Sequence, residues 1–397
     1  MEKKTKDYLI VGAVCAAALA ATAWIAISPA AAADLGGDGV ADLEERVAEL
    51  EAIAARKGNR KVTLTIQGVV NTALLYADFG DYNNTTVVQN GNEESKVGFL
   101  VNARINNDLS AGATLEIAAR DLGLLNLPAS GTGLDVQQSN VWIKSEAVGK
   151  LTIGRAAQAT KNFDEITTAN TAVASKPLSL GALSDAYLTG FDVPFDGTFR
   201  DVVRYDSPTM AGFTLAATWS NSVDGTKLDG DGDTYDVALR YAGDLSGFKV
   251  VGGLGYRKST DIELDLLHIL SVSAATGDVD TFLAAGSVKH LDSGLFLTGN
   301  YADQDWKDAG LKLKGYALTG GIEHKWNSLG ATTAYLEWNR FDFDNGGSAQ
   351  VDMYGVGVVQ AIDSVGMDLY ISYRKYDLGD FSADDVTAAT AGARIKF

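Results

Sequence analysis

From residue 61 to the C-terminus, apolar and polar residues alternate with a period of two. Val62, Leu64 and Ile66 alternate with Thr63, Thr65 and Gln67. Phe213, Leu215, Ala217 and Trp219 alternate with Thr214, Thr218 and Ser220, and Met367, Leu369, Ile371 and Tyr373 with Asp368, Ser372 and Arg374. This is the period of a strand with one apolar and one polar face. The connections alternate as well. Short turns fall at 107–112, 146–150, 206–212, 243–247, 291–294, 327–330 and 362–366. Longer polar stretches lie at 80–94, 122–135, 157–200, 221–232, 260–279, 305–314, 344–349 and 378–384. Seven short turns and eight long loops join sixteen strands and leave both chain ends on the short-turn side.

That asymmetry and the even strand number predict a membrane β-barrel. Roughly ten residues per strand suits a tilted crossing of the hydrocarbon layer. A soluble sandwich also alternates, but it needs no rule of long and short connections. Tyr76, Trp219, Tyr241, Tyr256, Tyr301, Trp326, Trp338 and Tyr373 sit mostly near strand ends on the apolar face, where interfacial aromatic girdles belong. An open strand edge cannot be satisfied in lipid, so the sheet must close. The prediction is an all-β fold, a 16-stranded antiparallel transmembrane β-barrel over 61–397 with one very long loop, 157–200.

The first 60 residues break the pattern. Lys3, Lys4 and Lys6 precede an almost wholly apolar run from Tyr8 to Ile27, and Ala31, Ala32 and Ala33 follow before Asp34. This is the layout of a signal peptide over 1–33, with an uncleaved anchor as the alternative. Val14 before Cys15 is too bulky for a lipoprotein processing site. In the leader 34–60, Val40, Leu43, Val47, Leu50 and Ala54 recur at spacings of three and four, a coiled-coil seam. A helix so short is marginal alone. It serves as an oligomerisation stalk, or it rests on its own chain.

Composition narrows the function. Asp and Glu outnumber Lys and Arg by 51 to 33, a net charge of -18. An acidic chain repels phosphate, which argues against nucleic acid as a partner. Cys15 is the one cysteine, so no disulfide framework or zinc-thiolate cluster forms within the chain. The three histidines, His268, His290 and His324, make no metalloprotease pair, and no nucleophile-elbow motif occurs. Neither an enzyme nor a bound cofactor is expected. Asp229, Asp231 and Asp233 lie in a calcium-loop-like run that lacks the glycine at position six and the glutamate at position twelve. They read as an acidic outer loop with, at most, weak calcium binding.

Four features carry a resemblance. Val62-Thr-Leu-Thr-Ile-Gln-Gly68 opens the barrel, and Gly154-Arg155 ends a strand before one very long loop. The chain ends Ala393-Arg-Ile-Lys-Phe397, and a coiled-coil-like leader precedes the barrel. With these the chain resembles a Gram-negative general porin of the alphaproteobacterial kind. The resemblance implies an outer-membrane location, a homotrimer, contact with outer-membrane lipid and lipopolysaccharide, and Phe397 as the assembly signal read by the barrel-assembly machinery. Ala389, Ala391 and Ala393 would suit a close protomer contact, or serve as lipid-facing filler.

Loop 157–200 follows the fifth strand, and in the resembled family the third loop folds inward and narrows the pore. A loop of that length is usually functional. It carries Asp164, Glu165, Asp185, Asp192 and Asp196, with Lys161 and Lys176. The polar strand faces carry Arg104, Arg120, Lys144, Arg204, Arg240, Lys249, Arg257, Arg374, Arg394 and Lys396. The constriction is expected to set Arg104, Arg120, Arg204, Arg240 and Arg257 on the wall against the five loop acids, a transverse field that selects ions. Parity places Arg155 on the lipid side, unless the strand ends there or a bulge at Gly154 turns it inward.

The function expected is a water-filled channel for passive diffusion of ions and small hydrophilic solutes, mildly cation-preferring. A substrate-selective channel, and a structural anchor acting through the leader helix, are the rival readings.

Overall fold

A computed structural model describes residues 62–80, 83–119, 134–178, 195–222, 232–264, 275–344, 347–379 and 385–397. The signal segment and the leader lie outside these residues, as do Arg120, Asp185, Asp192, Asp229 and Asp231. The described residues form β1 (Val62–Asp78), β2 (Asn83–Gln89), β3 (Lys96–Arg104), β4 (Leu109–Ala119), β5 (Leu134–Ser145) and β6 (Gly149–Ala157). After the long loop come β7 (Phe199–Asp206), β8 (Phe213–Ser222), β9 (Gly232–Leu245), β10 (Phe248–Leu264), β11 (Ala275–His290) and β12 (Leu295–Trp306). The last are β13 (Leu311–Asn327), β14 (Gly330–Asp344), β15 (Ser348–Ile362), β16 (Met367–Asp377) and β17 (Val386–Lys396).

Neighbouring strands pair antiparallel, and the sheet closes where β1 meets β17, from Val69 opposite Lys396 to Asp78 opposite Thr387. The other edge of β1 is shared. Its first half pairs with β3, from Val62 opposite Ala103 to Val69 opposite Lys96. Its second half pairs with β2, from Thr72 opposite Gln89 to Asp78 opposite Asn83. Thus β2 and β3 make one interrupted stave, and the barrel has sixteen staves. Closure leaves no open edge within the wall, as hydrocarbon requires.

The seven short turns fall where the sequence places them. Gly212, Gly247, Gly294 and Gly366 end four of them at φ of 85°, 87°, 71° and 59°, a left-handed backbone that glycine adopts without strain. The long connections are shorter than the polar stretches suggest. Residues 83–89, read as loop, are strand β2, whose Asn83-Asn-Thr-Thr start hides its period. In stretch 260–279 the described residues, 260–264 and 275–279, are strand, and 305–314 shrinks to the turn between Trp306 and Leu311.

The reason is an inversion of the alternation. Over the middle of each strand, apolar residues face outward, as at Leu254, Leu318, Leu336 and Ile371, all exposed on the surface of the barrel. Ten outward positions form an aromatic ring: Trp219, Tyr235, Tyr256, Phe282, Tyr301, Tyr316, Trp338, Tyr354, Tyr373 and Tyr76. Tyr301 lies 6.2 Å from Phe282 and 5.3 Å from Tyr316. Toward the long-loop end, beyond the ring, the pattern reverses. Leu311, Leu313, Phe341, Phe343, Val351 and Met353 are buried on the inner face, while Lys312, Lys314, Asp342, Asp344 and Asp352 take the outer register. There the strands have left the hydrocarbon and pack like a soluble barrel. At the short-turn end Phe213, Tyr241, Phe248 and Trp326 form part of a second outward ring, with the tilted Phe213 and Tyr241 rings 4.8 Å apart.

Arg155 stays on the outward register. β6 runs on to Ala157 with its pairing to β5 unbroken, and Gly154 absorbs a φ of 117°. The Arg155 Nε donates to the Val136 carbonyl at 2.7 Å, and Asp201 lies opposite on β7.

Candidate functional site: the constriction loop

The connection between β6 and β7 enters the barrel and lies along the inner wall. Its anchor is a carboxylate on β9. Asp236, 4% exposed, accepts from the Ala159 N–H at 3.0 Å, the Thr160 N–H at 3.0 Å and the Thr160 hydroxyl at 2.7 Å. Its period places it on the polar inner face, and two backbone donors in succession match the two oxygens of a carboxylate. Hydrogen bonds to a charged acceptor are the stronger kind, about 1.5–3 kcal/mol each.

From there the loop runs round the wall. Phe163 sits over Gly253 and Gly255 of β10, which leave room for its ring. The Asn300 side chain on β12 donates to the Phe163 carbonyl at 3.1 Å. Thr168 bonds Ser287 of β11 at 2.8 Å. Asn170 donates its N–H to Glu323 of β13 and its side-chain amide to Asp368 of β16, each at 2.6 Å. The break between β2 and β3 folds in to meet this tip: Asn90 donates to the Val173 carbonyl at 2.9 Å. At Leu178 the backbone turns left-handed, φ 60°, and its side chain covers Gly315 of β13 beside Phe195. Phe195 stacks on Phe341 of β14 at 6.3 Å. The inner wall under this part of the loop is therefore apolar core rather than polar lumen.

Arginines hold the loop by its oxygens. Arg204 donates to the carbonyls of Ala157 at 2.8 Å and Gln158 at 3.2 Å, and grips Asp206 at 2.7 Å. Arg240 donates to the Lys161 carbonyl at 2.6 Å, with its guanidinium 4.8 Å from the Phe163 ring centre. Arg257 donates to the Phe195 carbonyl at 3.1 Å. Arg374 donates to the Ala174 carbonyl and pairs with Glu337 at 2.7 Å, and Glu337 also accepts from the Ser175 hydroxyl. Arg394 donates to the Asn170 side chain at 3.2 Å and pairs with Asp368 at 2.6 Å and with Glu93. A guanidinium presents several donors in a fixed fork, so it can bond a carbonyl and a carboxylate together.

The structure brings Arg204, Arg240 and Arg257 to the loop. Arg104 faces inward at the short-turn end, where it donates to Asn106 at 3.2 Å and Asn107 at 3.2 Å. Asp164 and Asp196 do not lie opposite the arginines across open lumen. They join the loop to itself: Lys176 reaches Asp164 at 3.1 Å, and the Asp164 N–H donates to Asp196 at 3.3 Å. The transverse field therefore meets a loop whose described acids are partly neutralised from within. Burial opposes the charge on Lys176, but the carboxylates of Asp164 and Glu165 outweigh it and hold the lysine above its ordinary value. Burial and Asp164 raise the half-buried Glu165. Asp233 falls inside β9, where its N–H donates to the Thr260 hydroxyl at 2.9 Å. Among the described residues no cluster of acids and histidines could hold a metal.

The sequence reading missed Asp236, Glu337, Glu93, Asn170 and Asn300, and it left Arg374 and Arg394 among the general lumen bases. The inward register of those on strands (Asp236, Asn300, Glu337, Arg374 and Arg394) was visible in the alternation, whereas Glu93 and Asn170 lie in connections. The loop atom each would meet was not visible. Phe397 closes the barrel, donating its N–H to the Gly68 carbonyl at 3.0 Å and accepting from the Gly68 N–H at 2.7 Å.

Known proteins share this architecture. The in-vitro folded OmpT of Vibrio cholerae matches over 86% of this chain and 99% of its own, at 15% identity and a TM-score of 0.57. An anion-selective porin from Comamonas acidovorans matches over 85% and 100%, at 16% identity and 0.60. OmpF of Salmonella typhi matches over 85% and 98%, at 14% identity and 0.57. No curated protein sequence matches significantly. The family model described as Gram-negative porin matches residues 16–380. With the closed barrel and the inward loop, that match settles the family: the chain belongs to the Gram-negative porins and is a multi-pass β-barrel of the outer membrane.

Proposed function

We propose that this porin is a passive diffusion channel for ions and small hydrophilic solutes, with no catalytic step and no cofactor. The observation that carries the reading is the course of the loop. Beyond Lys161 its described contacts to the wall run to β9–β17 and to the break before β3, while inward Asn102, Arg104 and Lys144 on the opposite side remain solvent-exposed. A constriction built against one wall narrows a lumen without sealing it. Single-channel recording in a planar bilayer tests this. Steady steps of nanosiemens scale in concentrated salt support it; a silent, demonstrably folded barrel refutes it and favours the anchor.

A mild cation preference follows from the acid excess, and a small part of that excess sits on the outer register near the long-loop mouth, where Asp303, Asp305, Asp342 and Asp344 flank Lys312 and Lys314. Such a charge concentrates cations at the entrance. A reversal potential of anionic sign under a salt gradient would overturn it.

The working unit in this reading is a homotrimer. The aromatic rings lie mainly on β8–β16, whereas β17, β1 and β4 present small or aliphatic side chains such as Ala389, Ala391, Ala393, Leu74, Ala111 and Ala113. A sector whose girdle is reduced to Tyr76 suits a neighbouring protomer, and a trimer form of V. cholerae OmpT shares the fold. The charged belt beyond the ring suits the polar heads of outer-membrane lipid and lipopolysaccharide. Phe397 is the proposed signal to the assembly machinery. Deleting 34–58 separates channel from anchor, because a channel keeps conducting.

A further inference from the structure

We propose that the break between β2 and β3 is the second jaw of the constriction, and that Glu94, carried on it, is a specificity-determining residue that draws cations into the pore. This rests on the reading of the chain as a diffusion channel narrowed by its loop.

The break is held by specific bonds. Six residues, 90–95, stand opposite two of β1, Val70 and Asn71. Extra residues taken into a strand bend it and re-aim its side chains. The backbone of Asn71 stays satisfied: its N–H donates to the Ser95 hydroxyl at 3.0 Å, and its carbonyl accepts the Asn90 N–H at 3.3 Å. The Asn90 side-chain amide is fully engaged. It donates to the Val173 carbonyl of the loop at 2.9 Å and to the Tyr370 hydroxyl of β16 at 2.9 Å, and its oxygen accepts the Asn92 N–H at 3.0 Å. The Tyr370 hydroxyl donates on to the Asn71 side chain at 2.8 Å. The next residues reach further. Glu93 pairs with Arg394 of β17, which also bonds Asn170 of the loop. Glu94 accepts from the side chain of Gln137 on β5. The break therefore runs from the loop tip on one side to β5 on the other, across wall that the loop leaves bare.

What this segment offers the pore is a carboxylate that no base answers. Most of the described inward acids are already engaged. Asp206 pairs with Arg204, Glu323 with Lys289, Glu337 with Arg374, Asp368 and Glu93 with Arg394, and Glu116 with Lys96. Asp236 and Asp164 hold the loop. Asp244 sits at the short-turn rim, one residue from the end of β9. Glu94 is exposed, and its partner among the described residues is the neutral amide of Gln137. A neutral donor orients a carboxylate and leaves its charge in place. Such a charge in a water-filled passage with low-dielectric walls attracts cations and repels anions as they pass. Asn90 is a positioning residue: it fixes the segment that carries Glu94 against the loop tip.

The test measures reversal potentials of the full-length protein under a salt gradient, and the size limit of the pore with neutral polyethylene glycols. Glu94→Gln removes the charge and keeps an oxygen for Gln137. It should lower the cation-to-anion permeability ratio about two-fold or more near 0.1 M salt, and the difference should fade near 1 M, where screening acts within about 3 Å. Glu94→Cys, made in a Cys15→Ser chain so that the new thiol is alone, should behave alike. An anionic thiol reagent should then restore the ratio, and a cationic one should lower it further. Asp363→Asn, in the short turn before β16, should leave the ratio unchanged. Asn90→Ala should admit larger polymers, because the loop tip loses its amide donor. A conducting Glu94→Gln channel with the wild-type ratio overturns the role of Glu94. So does a Glu94→Cys channel that neither reagent moves, or an equal shift in Asp363→Asn. A folded Asn90→Ala barrel with the wild-type size limit overturns the jaw. Should Asn90→Ala not fold, Asn92→Ala, which removes the longer bond to the Val173 carbonyl at 3.4 Å, is judged by the same size limit. No conductance from the folded wild-type barrel overturns the channel reading itself.

Discussion

Removing Arg374 should cost more than any exposed charge of this barrel. Its ion pair with Glu337 is 2.7 Å long, and the two side chains are only 7% and 1% exposed. The residues sit on β16 and β14, two strands apart, with Gly355 of β15 between them in register. A Cβ at Gly355 would overlap the Glu337 carboxylate, so the glycine is the gap through which arginine and glutamate meet. In Arg374→Met the stem stays but the charge goes. Glu337 keeps only the Ser175 hydroxyl among its contacts to the loop, and the Ala174 carbonyl loses its arginine donor. Stranding one member of a buried pair costs about 3–5 kcal/mol. Changing both, as Arg374→Met with Glu337→Gln, removes the stranded charge and should cost less than the two single changes together, by about 1–3 kcal/mol. Urea unfolding of the barrel in lipid vesicles measures all three, and hydrogen exchange over 158–178 reports whether the loop is released. A single-variant cost under about 1 kcal/mol, the level of an exposed pair, refutes the reasoning. So does additivity of the two changes.

Asp236→Asn should free the start of the loop, because one of its two acceptor oxygens becomes a donor facing the Ala159 and Thr160 N–H groups; the expected loss is about 1.5–3 kcal/mol for a charge-assisted bond, read as raised channel noise and faster protease cleavage near 159. Gly68→Ala should lower the folded fraction at fixed refolding time, since a Cβ there overlaps the Phe397 ring; heat-modifiable gel migration measures it, and an unchanged yield contradicts the clamp. Asp385 lies just before β17, and a hydrogen bond and charge from Lys375 hold its carboxyl below the usual value. Its contribution is present at neutral pH and lost as pH falls through that depressed value, so Asp385→Asn should leave neutral stability slightly lower and the acid limb flatter.

Much of the barrel was legible because lipid imposes a simple rule on strands. Outward apolar residues and inward polar ones alternate wherever hydrocarbon touches the wall, and glycine turns punctuate them. The rule failed beyond the aromatic ring, where water replaces lipid outside and the loop replaces water inside. Leu311-Lys-Leu-Lys314 then reads as polar connection although it is strand, with leucines inward. β2 failed for a second reason: its outward side offers Val87 to the surface but little else that is apolar.

The site was legible only in part, and the fate of the loop acids shows why. Composition puts Asp164 and Asp196 in a loop beside five wall arginines, and Coulomb attraction alone would pair them across the lumen. A folded loop has a nearer claim on both kinds of group. Its backbone carries carbonyls that the barrel cannot bond through its own ladder, and each one taken from water needs a donor. Arg204, Arg240, Arg257 and Arg374 supply those donors, while Lys176 answers Asp164 from within the loop. Arginines spent in this way fasten the loop before they shape the field in the pore. Their hold follows too: screening acts over about 10 Å at 0.1 M salt and weakens exposed pairs most, whereas short guanidinium–carbonyl bonds under a loop are shielded from it. Raising the salt should therefore reduce the selectivity of the pore well before it releases the loop.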